Sequence, residues 1–232
     1  MEVTQIVLRY TIQSTYVKDL MMIDVNAIQV PVAAISRHRL MTDGDGVTTL
    51  VVLHSCPLRC RWCLNPQTWR EGSTYQMMTP MQLYTHVRVD DLYFQATGGG
   101  ITFGGGEPAI RSLFISQFRK VIPKQWKINL ETSLNVPQEH VEQLIPIVDE
   151  FVIDIKDMNP QIYEAYTSKD NTKTIANLKM IASSGIADRC LIRIPLIPGF
   201  NSEEDRERSM QQLRQMGFTR FDKFEYKIDI NR

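Results

Sequence analysis

The sequence predicts an α/β fold built on an open, partial barrel of the (β/α)6 kind. Six short runs rich in β-branched and aliphatic residues recur from Thr48 onward. Helical patterns bounded by caps and breakers fall between them, and six strands are too few to close the usual eight-stranded barrel.

In chain order the strand candidates are residues 48–54, 100–103, 127–131, 151–155, 190–195 and 222–228. Five are rich in Val, Ile, Leu or Phe with little polar alternation, as in parallel strands covered on both faces. Thr79-Pro80 offers an N-cap followed by proline at the first helical position, ahead of a helix over 81–94. A second helix is expected over 109–122, stopped by Pro123, and a third over 138–147, opened by Pro137. Residues 172–184 place apolar side chains at 175, 178, 181 and 182 and end at Gly185, a C-cap. Residues 202–216 open with Ser-Glu-Glu-Asp, favourable at a helix N-terminus, and end at Gly217. This alternation makes a parallel sheet whose reactive site lies at the C-terminal strand ends. Residues 4–10 read as one more strand and 27–35 as an apolar stretch without a place in the sheet. Residues 1–35 are therefore set apart as an N-terminal segment, and 36–232 form the barrel domain.

At 232 residues the chain fits one domain with a sizeable core. Lys plus Arg number 26 and Asp plus Glu number 26, so no global field draws it to nucleic acid or to a membrane surface. No apolar run approaches the roughly 20 residues of a membrane span. Residues 1–24 lack the continuous apolar core of a signal peptide. The expected location is the cytoplasm, where thiols stay reduced.

Four cysteines are too few for a disulfide scaffold at this size, and three of them fall between Cys56 and Cys63. The segment His54-Ser-Cys-Pro-Leu-Arg-Cys-Arg-Trp-Cys63 follows directly on the first strand candidate with spacing C-x3-C-x2-C. Thiolates are the usual ligands of iron–sulfur clusters, and a cubane cluster takes four. Three thiolates would leave one iron open to substrate, much as a catalytic zinc keeps an open position. A structural zinc site with His54 or Cys190 as fourth ligand is the alternative, although no second ligand cluster exists to complete it. Cys190, at the start of a strand, reads as a small buried hydrophobe.

Residues 98–108 read Gly-Gly-Gly-Ile-Thr-Phe-Gly-Gly-Gly-Glu-Pro. Glycine allows close backbone approach and positive φ, so the run suits a ligand cradle or two tight turns. Glu107 can accept charge-assisted hydrogen bonds from a ligand ammonium. A dinucleotide fingerprint fits poorly, because no acidic residue ends a strand about 20 residues on and Glu131 stands nearer 25. Three later strand ends carry charge: Glu131-Thr132, then Asp154, Lys156 and Asp157, then Arg193 inside an apolar run. Charges in apolar strands need partners, which these supply as structural ion pairs or as one converging site.

The cysteine segment resembles the signature of the radical S-adenosylmethionine superfamily, C-x3-C-x-aromatic-C, with Trp62 at the aromatic position. The resemblance implies a [4Fe–4S] cluster on Cys56, Cys60 and Cys63, with the methionine amino and carboxylate groups of S-adenosylmethionine chelating the fourth iron. Gly105, Gly106 and Glu107 match the superfamily's GGE motif, which contacts the methionine amino group.

With Asp43-Gly44-Asp45-Gly46, the strand ends further resemble the glycyl-radical enzyme activating enzymes, the branch of pyruvate formate-lyase activase. The family's D-G-P-G is altered here at its third position. Asp154-Ile155-Lys156 matches its D-x-K, and Arg193 its arginine for the methionine carboxylate. Glu131 and Thr132 stand where the family has an Asp-Thr pair that, with the D-x-K aspartate, holds a monovalent cation beside the cofactor. Asp43 is the candidate contact for the partner's glycine loop. The branch implies reductive cleavage of S-adenosylmethionine, hydrogen abstraction from a glycine of a partner glycyl-radical enzyme, and flavodoxin or ferredoxin as electron donor. The eight-cysteine ferredoxin insert of many members is missing, and Lys227 stands where a histidine is expected. A radical maturase of another peptide or small molecule, or a non-catalytic iron–sulfur or zinc protein, are the alternative readings.

Overall fold

The computed structural model describes residues 27–40 and 42–226, so the expected strand at 4–10 and Lys227 lie outside the described residues. The strands are β1 (Val30–Leu40), β2 (Val47–Leu53), β3 (Gln76–Met78), β4 (Gly100–Gly105), β5 (Lys127–Thr132), β6 (Glu150–Asp154), β7 (Cys190–Leu196) and β8 (Arg220–Glu225). They form one sheet in the order β3-β1-β2-β4-β5-β6-β7-β8. The six expected strands are its parallel body, β2 to β8 without β3, each paired with the next. β3 and β8 lie at opposite ends of this order, so the barrel stays open.

The apolar stretch without a place in the sequence reading supplies the first half of β1. This strand pairs antiparallel with β2 and β3 and extends the parallel body at one edge. Its pairing with β2 shifts register between Ser36 and Arg39, where His38 takes φ 56°. The bulge turns Arg37 and His38 toward Asp90.

The helices are α1 (Pro80–Val87), α2 (Asp91–Thr97), α3 (Ser112–Val121), α4 (Gln138–Leu144), α5 (Pro160–Thr167), α6 (Thr172–Ser183) and α7 (Glu203–Gln215). Thr79 and Gln82 close a capping box, with Gln82 N–H donating to Thr79 Oγ1 at 3.1 Å and Thr79 N–H to Gln82 Oε1 at 2.9 Å. The single helix expected over 81–94 is in fact two, α1 and α2, joined by a 3-10 turn over Arg88–Asp90. The turn buries Asp90 completely, where it accepts from Arg37 Nε at 2.9 Å and Thr49 Oγ1 at 2.9 Å. Those partners lie far off in sequence, so no local pattern announces the break. The expected helix at 109–122 likewise opens with a 3-10 turn, Pro108–Arg111, before α3. α5 was not anticipated, although Asn159 caps it and Pro160 starts it.

Alternation along each parallel strand divides the sheet into two faces. Ile101, Phe103, Ile128, Leu130, Phe151, Ile153, Ile192 and Ile194 point to the helices and belong to one apolar core. Phe103 meets Phe118 edge-on at 5.4 Å, a geometry worth roughly 0.5–1.5 kcal/mol beyond area burial. The intervening positions, among them Glu131, Asp154, Leu191, Arg193, Asp222 and Phe224, line the concave face. Only one face is helix-covered; the other is a lumen, which is why charges are tolerated inside otherwise apolar strands.

Candidate active site

The loop after β2 holds the three cysteines against the top of the barrel. It leaves the strand through Ser55, at φ 91°, and its backbone is tied on several sides. Ser55 N–H donates to Thr68 O at 2.7 Å, Arg59 N–H to Thr167 O at 2.9 Å, and Arg61 N–H to Tyr166 O at 3.1 Å. Cys56, Cys60 and Cys63 are free thiols, half-buried, and all three line one cavity of about 160 Å³. Burial, then the charge of Glu107, pushes the Cys56 thiol up to about 12. Burial pushes Cys60 up to about 11 against the nearby Lys156 ammonium. Both are therefore neutral thiols near pH 7 until a metal displaces the proton. Cys190 lies apart, fully buried in β7. His54 leans on Tyr75 at 4.9 Å and does not line the cysteine cavity. Trp62, 39% exposed, also lies off the cavity wall. The aromatic side chain that reaches a thiol is Trp69, whose Nε1–H donates to Cys63 Sγ at 3.5 Å.

Gly105, Gly106 and Glu107 form the facing wall. Gly105 has φ 97°, and a Cβ there would come 2.4 Å from Val52 Cγ1. A Cβ on Gly106 would lie 2.2 Å from the Ser55 carbonyl oxygen. Both glycines bring the end of β4 against the end of β2 and the cysteine loop, with Gly106 N–H donating to Leu53 O at 3.0 Å and Glu107 N–H to Ser55 O at 2.8 Å. The Glu107 carboxylate is 1% exposed. Its Oε1 accepts from Thr132 Oγ1 at 2.6 Å and Ala109 N–H at 3.2 Å, and its Oε2 from Ser133 N–H at 2.9 Å and Ser133 Oγ at 2.6 Å. All its acceptor sites are thus taken by the loops after β4 and β5. Burial still moves its pKa upward despite these four bonds. Ser133, which closes the polar end of the third expected strand but is not among the expected site residues, is the largest opposing influence; only its place one residue beyond Glu131-Thr132 signals it.

Deeper in the lumen, register brings the remaining charges together. Asp154 faces Arg193 across β6 and β7, and Arg193 faces Asp222 across β7 and β8. Arg193 donates to Glu131 Oε1 at 2.8 Å and to Thr42 O at 2.5 Å. Burial raises the Glu131 pKa, with Arg193 working against it. For Arg193 burial pulls downward, and the charge and hydrogen bond of Glu131, with the charges of Asp154 and Asp222, together outweigh it and raise the pKa. Lys156 is buried and paired with Asp154, with the Tyr226 hydroxyl 3.5 Å away. Burial opposes its charge, yet Asp154 and its other neighbours raise its pKa well above the ordinary value. The second carboxylate oxygen of Asp154, Oδ1, is buried and has no partner among the described residues.

Glu131, Thr132, Asp154, Lys156 and Arg193 therefore meet the cysteines in one cavity, joined by Tyr226 from the end of β8. Asp43 does not. It sits before β2, at the other end of the strands, and is 3% exposed. Arg39 clasps its carboxylate, and its carbonyl accepts from Thr102 Oγ1 at 2.6 Å and Asn129 Nδ2 at 3.1 Å. It lines a larger lumen of about 1180 Å³ that shares Leu64, Asn65, Glu131, Asp154, Arg193 and Tyr226 with the cysteine cavity.

Residues 50–213 match the family model described as the radical SAM superfamily. The chain belongs to that superfamily. As a radical SAM protein it takes a [4Fe–4S] cluster and S-adenosylmethionine as cofactors. It is 26% identical over 222 residues to the (2S)-3-sulfopropanediol dehydratase activating enzyme of Klebsiella oxytoca, covering 69% of each chain. It is 25% identical over 205 residues to the pyruvate formate-lyase 2-activating enzyme of Escherichia coli strain K12, covering 75% of this chain and 69% of that one. Its fold also superposes on Streptococcus suis SuiB bound to S-adenosylmethionine, with a TM-score of 0.59 at 15% identity. That match covers 76% of this radical SAM chain but only 40% of the SuiB chain. No helix among the described residues is long and apolar enough to cross a membrane.

The residues present suit the superfamily's cofactors. Among the described residues no three His, Cys, Asp or Glu side chains converge on a single-ion site. The three thiols are instead spread over one cavity wall, the arrangement wanted by a cluster whose irons occupy separate corners. Opposite them, glycine backbone without side chains leaves room beside a wall carrying both acidic and basic groups, suited to a zwitterion.

Proposed function

We propose that this radical SAM protein is a glycyl-radical enzyme activating enzyme. The observation that carries the reading is the continuity of the cysteine cavity with the larger lumen below it. A segment of a partner protein entering that lumen would meet the cofactor end of the barrel directly. Similarity to two activating enzymes across 69–75% of the chain supports the same reading.

On this reading Cys56, Cys60 and Cys63 hold the cluster, which with S-adenosylmethionine supplies one-electron reductive cleavage to methionine and a 5′-deoxyadenosyl radical. The electron comes from a small one-electron donor such as flavodoxin or ferredoxin. The hydrogen donor would be a glycine of the partner segment in the lumen, which would be left as the glycyl radical while 5′-deoxyadenosine forms. Gly105 and Gly106 hold the methionine end of the cofactor through their backbone, and Glu107 fixes the loops around it. Arg193 is the cation for the methionine carboxylate, and Trp62 stands within the cluster loop, between Cys60 and Cys63. Glu131, Thr132 and Asp154 are the oxygen donors for a monovalent cation, the unpartnered Asp154 Oδ1 being the open ligand position. Lys156 neutralises Asp154 and so limits the acidity of the wall. Asp43, held by Arg39, shapes the far end of the lumen where the partner segment turns.

The test is anaerobic cluster reconstitution, then measurement of 5′-deoxyadenosine and of the glycyl doublet by electron paramagnetic resonance with candidate glycyl-radical enzymes. Cofactor cleavage with a glycyl signal supports the reading. Cleavage coupled instead to a peptide or small molecule assigns the chain to another branch, and no cleavage by a fully loaded cluster rules out catalysis of this kind.

A further inference from the structure

We propose that Trp69 is a positioning residue that sets the reduction potential of the cluster through its hydrogen bond to Cys63. The inference rests on the reading of Cys56, Cys60 and Cys63 as cluster ligands. The Cys63 sulfur, a thiol here, stands in for the iron-bound thiolate.

The chain builds this contact deliberately. Asn65-Pro66 opens a 3-10 turn over Pro66–Thr68, with proline at its first position. Thr68 is buried, and its hydroxyl donates to Asn65 O at 2.7 Å while its carbonyl receives Ser55 N–H at 2.7 Å. Trp69 N–H closes the turn on Pro66 O at 3.3 Å. The turn is therefore fixed to the start of the cysteine loop, and the indole leaves it toward the end of that loop. There Nε1–H meets Cys63 Sγ at 3.5 Å. Two guanidinium groups hold the ring, Arg59 at 4.8 Å and Arg70 at 5.9 Å from its centre. Arg59 in turn donates to Cys56 O at 2.7 Å and Leu58 O at 2.8 Å, so the same side chain braces the thiol loop and the ring.

An N–H pointed at a cluster sulfur favours the reduced level, where added negative charge spreads onto the thiolates, and so raises the potential. Two cations stacked on the same ring act in the same direction. The device matters because the cluster must accept an electron from a protein donor and then hand it to a sulfonium. Trp69 thereby sets how readily the first of these steps occurs without touching substrate.

The experiment is redox titration of reconstituted native, Trp69→Phe and Trp69→Ala proteins, monitored by the reduced-cluster resonance, with iron and sulfide content measured alongside. Trp69→Phe keeps a ring between the guanidinium groups and loses only the donor. It is expected to carry full iron and sulfide and to titrate at a more negative potential. A Trp69→Phe potential equal to the native value, or higher, overturns the inference, because a purely structural ring would behave that way. Should either variant fail to load, native protein labelled with 15N-tryptophan decides: hyperfine coupling of an indole nitrogen to the reduced cluster, retained in Trp62→Phe, is the expected result, and its absence overturns the inference. A native protein that assembles no cluster at all would instead overturn the ligand assignment beneath it.

Discussion

Replacing Glu107 by Gln separates a loop-fixing role from direct contact with S-adenosylmethionine. Glutamine preserves the shape of the side chain but keeps one oxygen where the carboxylate has two. In one amide orientation the new NH2 faces Ala109 N–H and Thr132 Oγ1, and in the other it faces Ser133 N–H and Oγ. The hydroxyls can rotate, but a backbone N–H cannot, so one buried donor confronts another whichever way the amide turns. Leaving a buried donor unsatisfied costs about 1–3 kcal/mol, and exchanging charge-assisted for neutral bonds at the remaining oxygen costs roughly 1 kcal/mol more. Relief of carboxylate desolvation, visible in the raised Glu107 pKa, offsets part of this. The net expectation is a loss of about 2 kcal/mol, or a fall in Tm of about 4–8 °C for a domain of this size. Urea unfolding of cluster-free protein, without S-adenosylmethionine, measures it. An unchanged midpoint combined with a large loss of cofactor affinity would refute the reasoning, because it would mean the carboxylate serves the ligand and not the loops.

Cys56→Ala, Cys60→Ala and Cys63→Ala are each expected to abolish the cluster chromophore, whereas Cys190→Ala keeps it, as iron content and visible absorbance will show. Gly106→Ala drives a Cβ to 2.2 Å from the Ser55 carbonyl; overpacking of this kind costs about 1–3 kcal/mol, and the displaced cysteine loop should show reduced iron retention on gel filtration. Burial raises the Cys190 thiol from 9.0 to about 12. Between those values the unfolded chain has lost a proton that the folded chain keeps, so Cys190 makes stability fall as pH rises through this window and contributes no slope below it. Urea midpoints from pH 8 upward should therefore decline less steeply in Cys190→Val than in the native protein.

Much of the fold was legible because strand and helix signals are local. The apolar runs at β2 and β4 to β7, the Thr79-Pro80 cap and the Ser202 cap each act over a few residues, and each appears where expected. β1 was not legible, because a strand that is buried at one end and exposed at the other has no single periodicity. The division of the expected helix at 81–94 escaped for another reason: burial of Asp90 against Arg37 and Thr49 is a contact between distant segments.

The site divides along the same line. Residue types and short spacings were enough to mark three thiols as a ligand set, a glycine-rich strand end as a close approach, and successive strand ends as carriers of charge. These are properties of a few neighbouring residues, and the chemistry follows from the side chains themselves. Which groups are free to act was settled only by folding. Strand register set Arg193 between Asp154 and Asp222, and the packing of two loops used every acceptor on Glu107. Trp69, and not its neighbour Trp62, reached a thiol, because a 3-10 turn pinned to Ser55 aims its ring. The hydroxyl partners of Glu107 lie 25 and 26 residues away and leave no periodic trace in a sequence, and hydrogen-bond capacity is exhausted only once a specific packing exists.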